Sequence, residues 1–417
     1  MRKLKLTCLT PLWTGDIDTK SDFIQSAGII GSLRWWTEII LRGWTEIILR
    51  GMNKFVCDPT TDNRCPQIDE NLKTDKYCSA CLIFGATGLR RLFKINLEGG
   101  EKVFTGGALN IKPNRRNRGW YLGSGIVGDI ELEIIPLVKD FDENLILLPL
   151  LIASRWGGIG ARVQHGYGVV MIENLLEINF EKFQNALSKI QEMQRLNSLK
   201  IELRNDARND IMCGYPDIRE MFFAKVQFEV GNNEWWKEVD GIKKREVKGD
   251  NKEKKYNGYV NDPRMQAWIK SNSVPISPAI KNWLRYGDGK KLWQTGDQNK
   301  DKGIENWLFG TMGNDKSASK INISCAYHIK NNLWEFRIWG WIPKSNNPQG
   351  FDRDRFLENL KSGLNGSNEL KIPWEELFGN RTGNYKLEVW REYDTGRDTI
   401  EPNESNFSKF IQSLLTD

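Results

Sequence analysis

Trp156-Gly157-Gly158-Ile159-Gly160-Ala161-Arg162-Val163-Gln164-His165-Gly166-Tyr167-Gly168 is the stretch whose reading decides the fold. An apolar run from Leu145 to Ala153 precedes it and reads as a helix. Val169-Val170-Met171-Ile172 follows and reads as a strand. A dinucleotide fingerprint needs the opposite order, a strand and then a helix whose N-terminus holds phosphate. Its spacing also fails, because Val163 stands where a third glycine is required. A helix C-terminus carries partial negative charge, so attraction for an anion has to come from Arg155 and Arg162. Trp156 and Tyr167 offer faces on which a base could stack. A tight turn that caps a buried helix accounts for the same glycines without any ligand.

Composition bounds the remaining options. The chain has 417 residues, a length suited to two domains, with 39% hydrophobic and 27% charged residues. A net charge of +6 and a pI near 8.8 are compatible with nucleic acid without demanding it. Seventeen Trp are many for this length; most belong in a core, and some could serve as stacking platforms. The N-terminus, Met1 to Cys8, alternates like a strand and has no signal-peptide core. No apolar run approaches the roughly 20 residues that span a bilayer. A cytoplasmic location without membrane contact is therefore expected, with the seven Cys reduced or metal-bound.

In chain order, Leu4, Leu6 and Cys8 line one face of a first strand. Gly31 to Trp36 opens a helix. The octapeptide Trp36–Gly43 recurs unchanged as Trp44–Gly51. Eight residues rotate the second copy by roughly 80°, so the apolar stripe is widened or displaced. Residues 44–51 are expected to be dispensable for the fold. Cys57, Cys65, Cys78 and Cys81 follow, the last two spaced Cys-x-x-Cys, as in half of a tetrahedral zinc site. They read as a structural zinc centre, with independent reduced thiols as the alternative. Cys8, Cys213 and Cys325 read as core. Gly85 and Gly88 turn the chain into a strand beginning with Arg90 and Arg91. The segment Lys112 to Tyr121 joins four cations to two aromatics, which points either to a solvated loop or to RNA. Residues 240–255 are lysine-rich and read as a mobile loop.

The second half repeats the first. Pro278 to Arg285 echoes the Gly31 helix, and Trp307 to Gly313 echoes Leu82 to Gly88. Each half runs strand, Trp-bearing helix, Phe-Gly turn, strands; in the second these are 321–327 and 334–342, joined by an Asn331-Asn332 hairpin. The fold class is α+β with tandem ferredoxin-like units. The divisions are 1–178 with a Cys-rich insertion, a helical connector at 179–217, and a second unit at 218–417.

Pro11 to Gly15, Ile30 to Trp36, Cys57-Asp58-Pro59, Cys81 to Gly88 and Gly157 to Arg162 together resemble the RAMP superfamily. Within it, they are similar to the first RAMP subunit of the Cmr (type III-B) CRISPR effector. The resemblance is dense to about residue 172, and resumes at 276–281 and 334–341. It implies a glycine loop that contacts RNA within a ribonucleoprotein carrying CRISPR RNA, complementary target RNA and other Cmr subunits, with sequence read by guide pairing. Carried over by position, the loop is Gly157, Gly158, Gly160, Ala161 and Arg162. Arg34, Trp35, Arg90, Arg91 and Arg155 are candidates for the surrounding surface. The expected function is non-catalytic RNA binding. The alternatives are a metal-independent endoribonuclease using His165, and a purely structural assembly subunit. His328, the other histidine, reads as structural. The sequence contains no phosphate-binding P-loop, no His-Glu-x-x-His and no clear nucleophile motif.

Overall fold

The computed structural model describes residues 2–16, 21–49, 56–57, 65, 67–69, 74–114, 119–173, 178–197, 215–249, 252–311, 317–366, 371–400 and 404–416. The basic tip Arg115, Arg116 and Arg118, Cys213, and Met312-Gly313 at the end of the repeat lie outside them.

The first unit comprises β1 (Arg2–Leu12), α1 (Ser26–Leu49), β2 (Gln67–Asp69), β3 (Thr74–Lys76), α2 (Ser79–Phe84), β4 (Phe93–Lys102), β5 (Leu109–Ile111), β6 (Trp120–Leu122), β7 (Ile126–Pro136), α3 (Asn144–Trp156) and β8 (Val170–Glu173). Its sheet has the order β4-β7-β1-β8 with every pair antiparallel. Two helical crossovers, α1 and α3, connect these strands in the ferredoxin-like pattern. Alternation decides which face of β1 is covered: Leu4, Leu6 and Cys8 are buried with Ile130, Leu132 and Ile134 of β7. On the opposite face, Lys3 pairs with Glu131, and Lys5 with Asp129 and Glu173. Helix α3 is apolar all round and almost wholly buried, as expected of a helix with no solvent face.

Helix α1 starts at Ser26, five residues before Gly31. The preceding loop sets that start: Thr14 Oγ1 accepts from Gln25 N at 2.9 Å. The helix continues unbroken through the first octapeptide copy and into the second, as far as Leu49. A Cβ on Gly43 would lie 2.8 Å from Ile218 and 2.9 Å from Phe407, so the glycine permits close packing there. Trp44 of the second copy is buried and meets Phe180 edge-on at 5.9 Å. Trp44, the first residue of the second copy, thus supplies an indole to the core.

Helix α4 (Phe180–Asn197) buries Phe183, Ala186 and Leu187 in the first core and is more than a polar connector. The second unit comprises β9 (Met221–Val230), β10 (Arg245–Gly249), β11 (Lys252–Tyr256), α5 (Pro263–Lys270), β12 (Ser273–Val274), α6 (Ser277–Tyr286), α7 (Gln298–Phe309), β13 (Ile321–Ile323), β14 (Ala326–Lys330), β15 (Leu333–Trp341), α8 (Arg353–Leu364), α9 (Trp374–Phe378), β16 (Thr382–Glu392) and α10 (Phe407–Ser413). Its sheet runs β12-β14-β15-β9-β16, with β13 also paired to β15. Asp262, Asp297, Asp352 and Asn406 cap α5, α7, α8 and α10 with side-chain oxygens. The chain is an α+β protein of two ferredoxin-like units.

Two stretches differ from the sequence reading. Within residues 240–255, expected to be a mobile loop, β10 and β11 pair antiparallel, and the Asp240 carboxylate is buried, accepting from Asn114 N at 2.9 Å. The strand expected at 321–327 is two strands, because Ser324 and Cys325 turn aside where Gly166 docks. Cys325 N donates to Gly166 O at 3.0 Å.

Each core draws on both halves of the chain. Phe407, Phe410, Ile411 and Leu414 join the first core, whereas Leu109, Ile111 and Leu122 of β5 and β6 join the second. The second unit grips that hairpin by its backbone. Tyr259 Oη bonds both N and O of Asn110, and Arg264 donates to Gly107 O at 2.7 Å.

The sequence echo has a structural counterpart. Arg34 on α1 donates to Gly85 O at 2.9 Å and to Glu38 at 2.9 Å. Arg285 on α6 donates to Gly310 O at 3.0 Å and to Glu305 at 3.0 Å. Gly85 and Gly310 both terminate a helix with positive φ, +86° and +77°. In each unit, a helix arginine anchors the same glycine turn.

Candidate nucleic-acid interface

The glycine loop is assembled around Trp13. Gly157 ends α3, with its N–H donating to Ala153 O at 3.0 Å. Gly158 O accepts from Trp36 Nε1 at 3.1 Å. Ile159 N donates to Gly168 O at 2.9 Å and closes the loop on itself. Gly160 has a φ of +82°, and a Cβ there would lie 2.7 Å from Trp13 O. Ala161 N donates to that same oxygen at 2.7 Å. Arg162 follows at a φ of +56°, uncommon for a residue with a side chain. This backbone places its guanidinium 4.0 Å from the Trp13 ring centroid, a cation–π contact at a half-buried position.

The second unit supports this loop from beneath. Arg337, buried on β15, donates to Ser154 O at 2.5 Å and Gly157 O at 3.2 Å, capping the negative end of α3. Its Nε also donates to Tyr327 Oη at 2.9 Å. A Cβ on Gly166 would lie 2.6 Å from Cys325 N, so glycine is what allows the two units to touch there.

His165 lies in a short 3-10 turn, Val163–His165, edge-on to Trp120 at 5.3 Å. Burial, and then the positive charges of Lys281 and Arg162, push its pKa down to about 3. It is therefore neutral at physiological pH and a weak base.

The expected residues fall into separate groups. Gly157 and Gly158 are buried, while Gly160, Ala161 and Arg162 are half-buried around Trp13. Arg155 is half-buried in the last turn of α3. Trp35 is half-buried and stacks edge-on against Trp36 at 5.1 Å. Arg90 is exposed and Arg91 half-buried; both precede β4 instead of opening it. Arg34 points inward, held by Glu38, Gly85 O and Cys81 Sγ. Trp156 and Tyr167, offered as stacking faces, are core residues. Trp156 Nε1 donates to Leu414 O at 2.7 Å, and Tyr167 Oη to Gly123 O at 2.6 Å. His328 Nε2 lies 2.8 Å from Asn331 O at the β14–β15 turn, in keeping with a structural role. Trp13 was visible in Pro11-Leu12-Trp13 but unassigned, because nothing local shows that Arg162 lies across it.

Four sulfurs form a separate centre. Cys57, Cys65, Cys78 and Cys81 place their Sγ atoms within 4.8 Å of one another. Cys57 and Cys81 are 3.7 Å apart. A zinc with Zn–S bonds of about 2.3 Å needs sulfurs about 3.8 Å apart at tetrahedral angles. Cys78 begins α2 and its sulfur accepts from Cys81 N at 3.4 Å; Cys65 Sγ accepts from Cys78 N at 3.2 Å. Arg34 Nη2 donates to Cys81 Sγ at 3.1 Å. The surrounding thiols hold Cys78 well below the usual thiol range, whereas donation to neighbouring sulfurs and burial raise Cys65 and Cys81. Backbone N–H groups and a guanidinium directed at sulfur suit thiolates, and the set is compatible with a structural metal. Cys8 and Cys325 are buried singly, as expected of core thiols.

The class of protein is thus a tandem ferredoxin-like α+β chain with a tryptophan-backed glycine loop and a four-cysteine insertion. The profile of the RAMP superfamily matches residues 5–170, from β1 through the loop to β8. This region of the chain is similar to that superfamily. Among solved structures, the chain is similar to the crystal structure of Cmr1 from Pyrococcus furiosus in its apo form, at 13% identity and a TM-score of 0.36 over 86% of this chain and 96% of that one. It is also similar to a chain in the cryo-EM structure of the type III-B Cmr-beta bound to cognate target RNA and AMPPnP in the presence of ssDNA, at 11% identity and a TM-score of 0.35 over 85% and 96%. A cryo-EM structure of Cmr-beta bound to cognate target RNA gives 10% identity and a TM-score of 0.34 over 85% and 97%. No curated protein matches the sequence. Among the described residues, no helix is long and apolar enough to cross a membrane.

Proposed function

We propose that this chain is a non-catalytic RNA-binding subunit of a type III-B CRISPR (Cmr) effector ribonucleoprotein, which contacts guide or target RNA beside other Cmr subunits. The observation that carries the reading is the glycine loop: Gly160 and Ala161 are pinned to Trp13 O, and Arg162 is held over the Trp13 ring. A cation fixed against an aromatic and framed by a close-approach backbone suits phosphate contact with stacking, and does not select bases. The RAMP match over this region, and the motifs shared with the first Cmr RAMP subunit, supply the setting. The Cys57, Cys65, Cys78 and Cys81 set holds a structural zinc in this reading, tying the insertion to α2.

Cleavage through His165 is disfavoured by its own environment. An imidazole with a pKa near 3 is a poor proton acceptor, and Trp120 and Lys281 neighbour it with no carboxylate among the described residues to raise its basicity. End-labelled single-stranded RNA incubated with purified protein is expected to shift on native gels and stay intact on denaturing gels. Fragments that vanish with His165→Ala would make the protein a nuclease.

A further inference from the structure

Lys281 is a lysine where the fold has little reason to keep one. It lies on α6, is 2% exposed, and its Nζ has one hydrogen bond, 3.3 Å to Ser319 Oγ. Burial, followed by the charge of Arg285, lowers its pKa to about 7, and among the described residues no carboxylate opposes the fall. Arg285 itself is engaged by Glu305 and Gly310 O. A buried ammonium that meets no counter-charge among the described residues is costly unless something anionic completes it. Its neighbours also have unused capacity. Lys281 Nζ lies 5.9 Å from the Trp120 ring centroid, and Trp120 lies edge-on to His165. Trp120 Nε1 and His165 Nδ1 are both buried without a hydrogen-bond partner among the described residues. Buried polar atoms left unpaired are uncommon in native structures. Here two of them flank one lysine, where α6 meets the glycine loop and the half-buried start of β6.

We infer that Lys281, Trp120 and His165 form a binding site for one phosphate group of RNA at the junction of the glycine loop and the second unit. The ammonium supplies the charge, and Trp120 Nε1 and a protonated ring nitrogen of His165 supply further donors to phosphate oxygens. The site rests on the RNA-binding reading but lies on Lys281 of α6, Trp120 of β6 and His165 of the 163–165 turn, apart from the Trp13–Arg162 contact.

The test compares wild type with Lys281→Met, in which a flexible apolar chain of similar length replaces the ammonium. Three readings are taken: melting temperature in inorganic phosphate against chloride at matched ionic strength, RNA affinity by fluorescence anisotropy, and melting temperature in chloride alone. Phosphate is expected to raise the melting point of the wild type only. RNA affinity is expected to fall about tenfold in the variant, the effect of losing one charge-assisted contact of about 1.4 kcal/mol. The variant in chloride is expected to melt at or above the wild-type temperature, whereas a lysine needed only for folding would lower it. RNA oligonucleotides ending in hydroxyl or in 3′-phosphate separate the sources. A preference for the phosphorylated end that disappears in the variant assigns a terminal monoester, and equal loss on both assigns an internal diester. Equal phosphate response in both proteins, together with RNA affinity unchanged within twofold, overturns the site. If Arg162→Ala weakens RNA binding while Lys281→Met does not, the RNA reading stands without this site. If no RNA binds at all, the phosphate response still decides whether the site exists.

Discussion

Removing one sulfur from the cysteine centre gives the most quantitative prediction. The four Sγ atoms already lie within 4.8 Å, and the Cys57–Cys81 separation of 3.7 Å is within about 0.1 Å of the tetrahedral zinc edge. Closing the site therefore requires little rearrangement. Structural zinc sites in small peptides are worth roughly 10–16 kcal/mol of apparent binding free energy at neutral pH. Here only a share of this reaches the folded state, since Cys57, Cys78 and Cys81 are also buried in the first core. Protein purified without chelator is expected to carry about one zinc per chain by plasma mass spectrometry. Cys81→Ser is expected to lose it, because a hydroxyl replaces a buried thiolate that also accepts from Arg34. A chelator that strips the metal is expected to lower the first unfolding transition of the wild type and to leave that of Cys81→Ser unchanged. Wild type free of metal, with a melting point indifferent to added zinc, would refute the argument and return the four thiols to independent packing.

Other outcomes follow from the loop. Gly160→Ala forces a Cβ to 2.7 Å from Trp13 O at a φ of +82°; we expect a loss of about 1–3 kcal/mol in denaturant unfolding and weaker RNA binding. Unchanged stability would mean that the loop relaxes without cost. His165 has a folded pKa near 3, below the unfolded value of about 6.5, so the unfolded chain takes up the proton first. Its contribution is complete above pH 6.5 and is lost as pH falls toward 3. His165→Gln is accordingly expected to flatten the stability profile across that window; identical acid unfolding in both proteins would contradict the buried, neutral imidazole.

Much of the architecture was readable in the residues because the deciding signals are local. The alternation of Leu4, Leu6 and Cys8, the uniformly apolar α3 and the Leu-Arg of each repeat helix mark their elements without reference to the rest of the chain. The echo between Gly85 and Gly310 had a cause that sequence could not display, namely an arginine reaching the same carbonyl in both units. What escaped was set by tertiary contact. Trp156 and Tyr167 look like stacking residues beside a glycine loop, yet both find buried carbonyl partners far along the chain. Arg34 looks like a surface cation but is engaged by Gly85 and the cysteine centre. The 240–255 stretch reads as solvated because its lysines obscure the hairpin register that the structure shows. Lys281 lies in an ordinary amphipathic helix, and only the fold reveals that no carboxylate among the described residues meets it.

The most direct test of backbone RNA contact by the glycine loop is the salt dependence of RNA binding for wild type and Arg162→Ala, on several unrelated single strands. The variant is expected to bind all of them more weakly by a similar factor, with the log–log salt slope reduced by about 0.7, the value for one phosphate contact on single strands. An unchanged slope and affinity, or a loss confined to particular sequences, would show that the glycine loop does not hold RNA by its backbone.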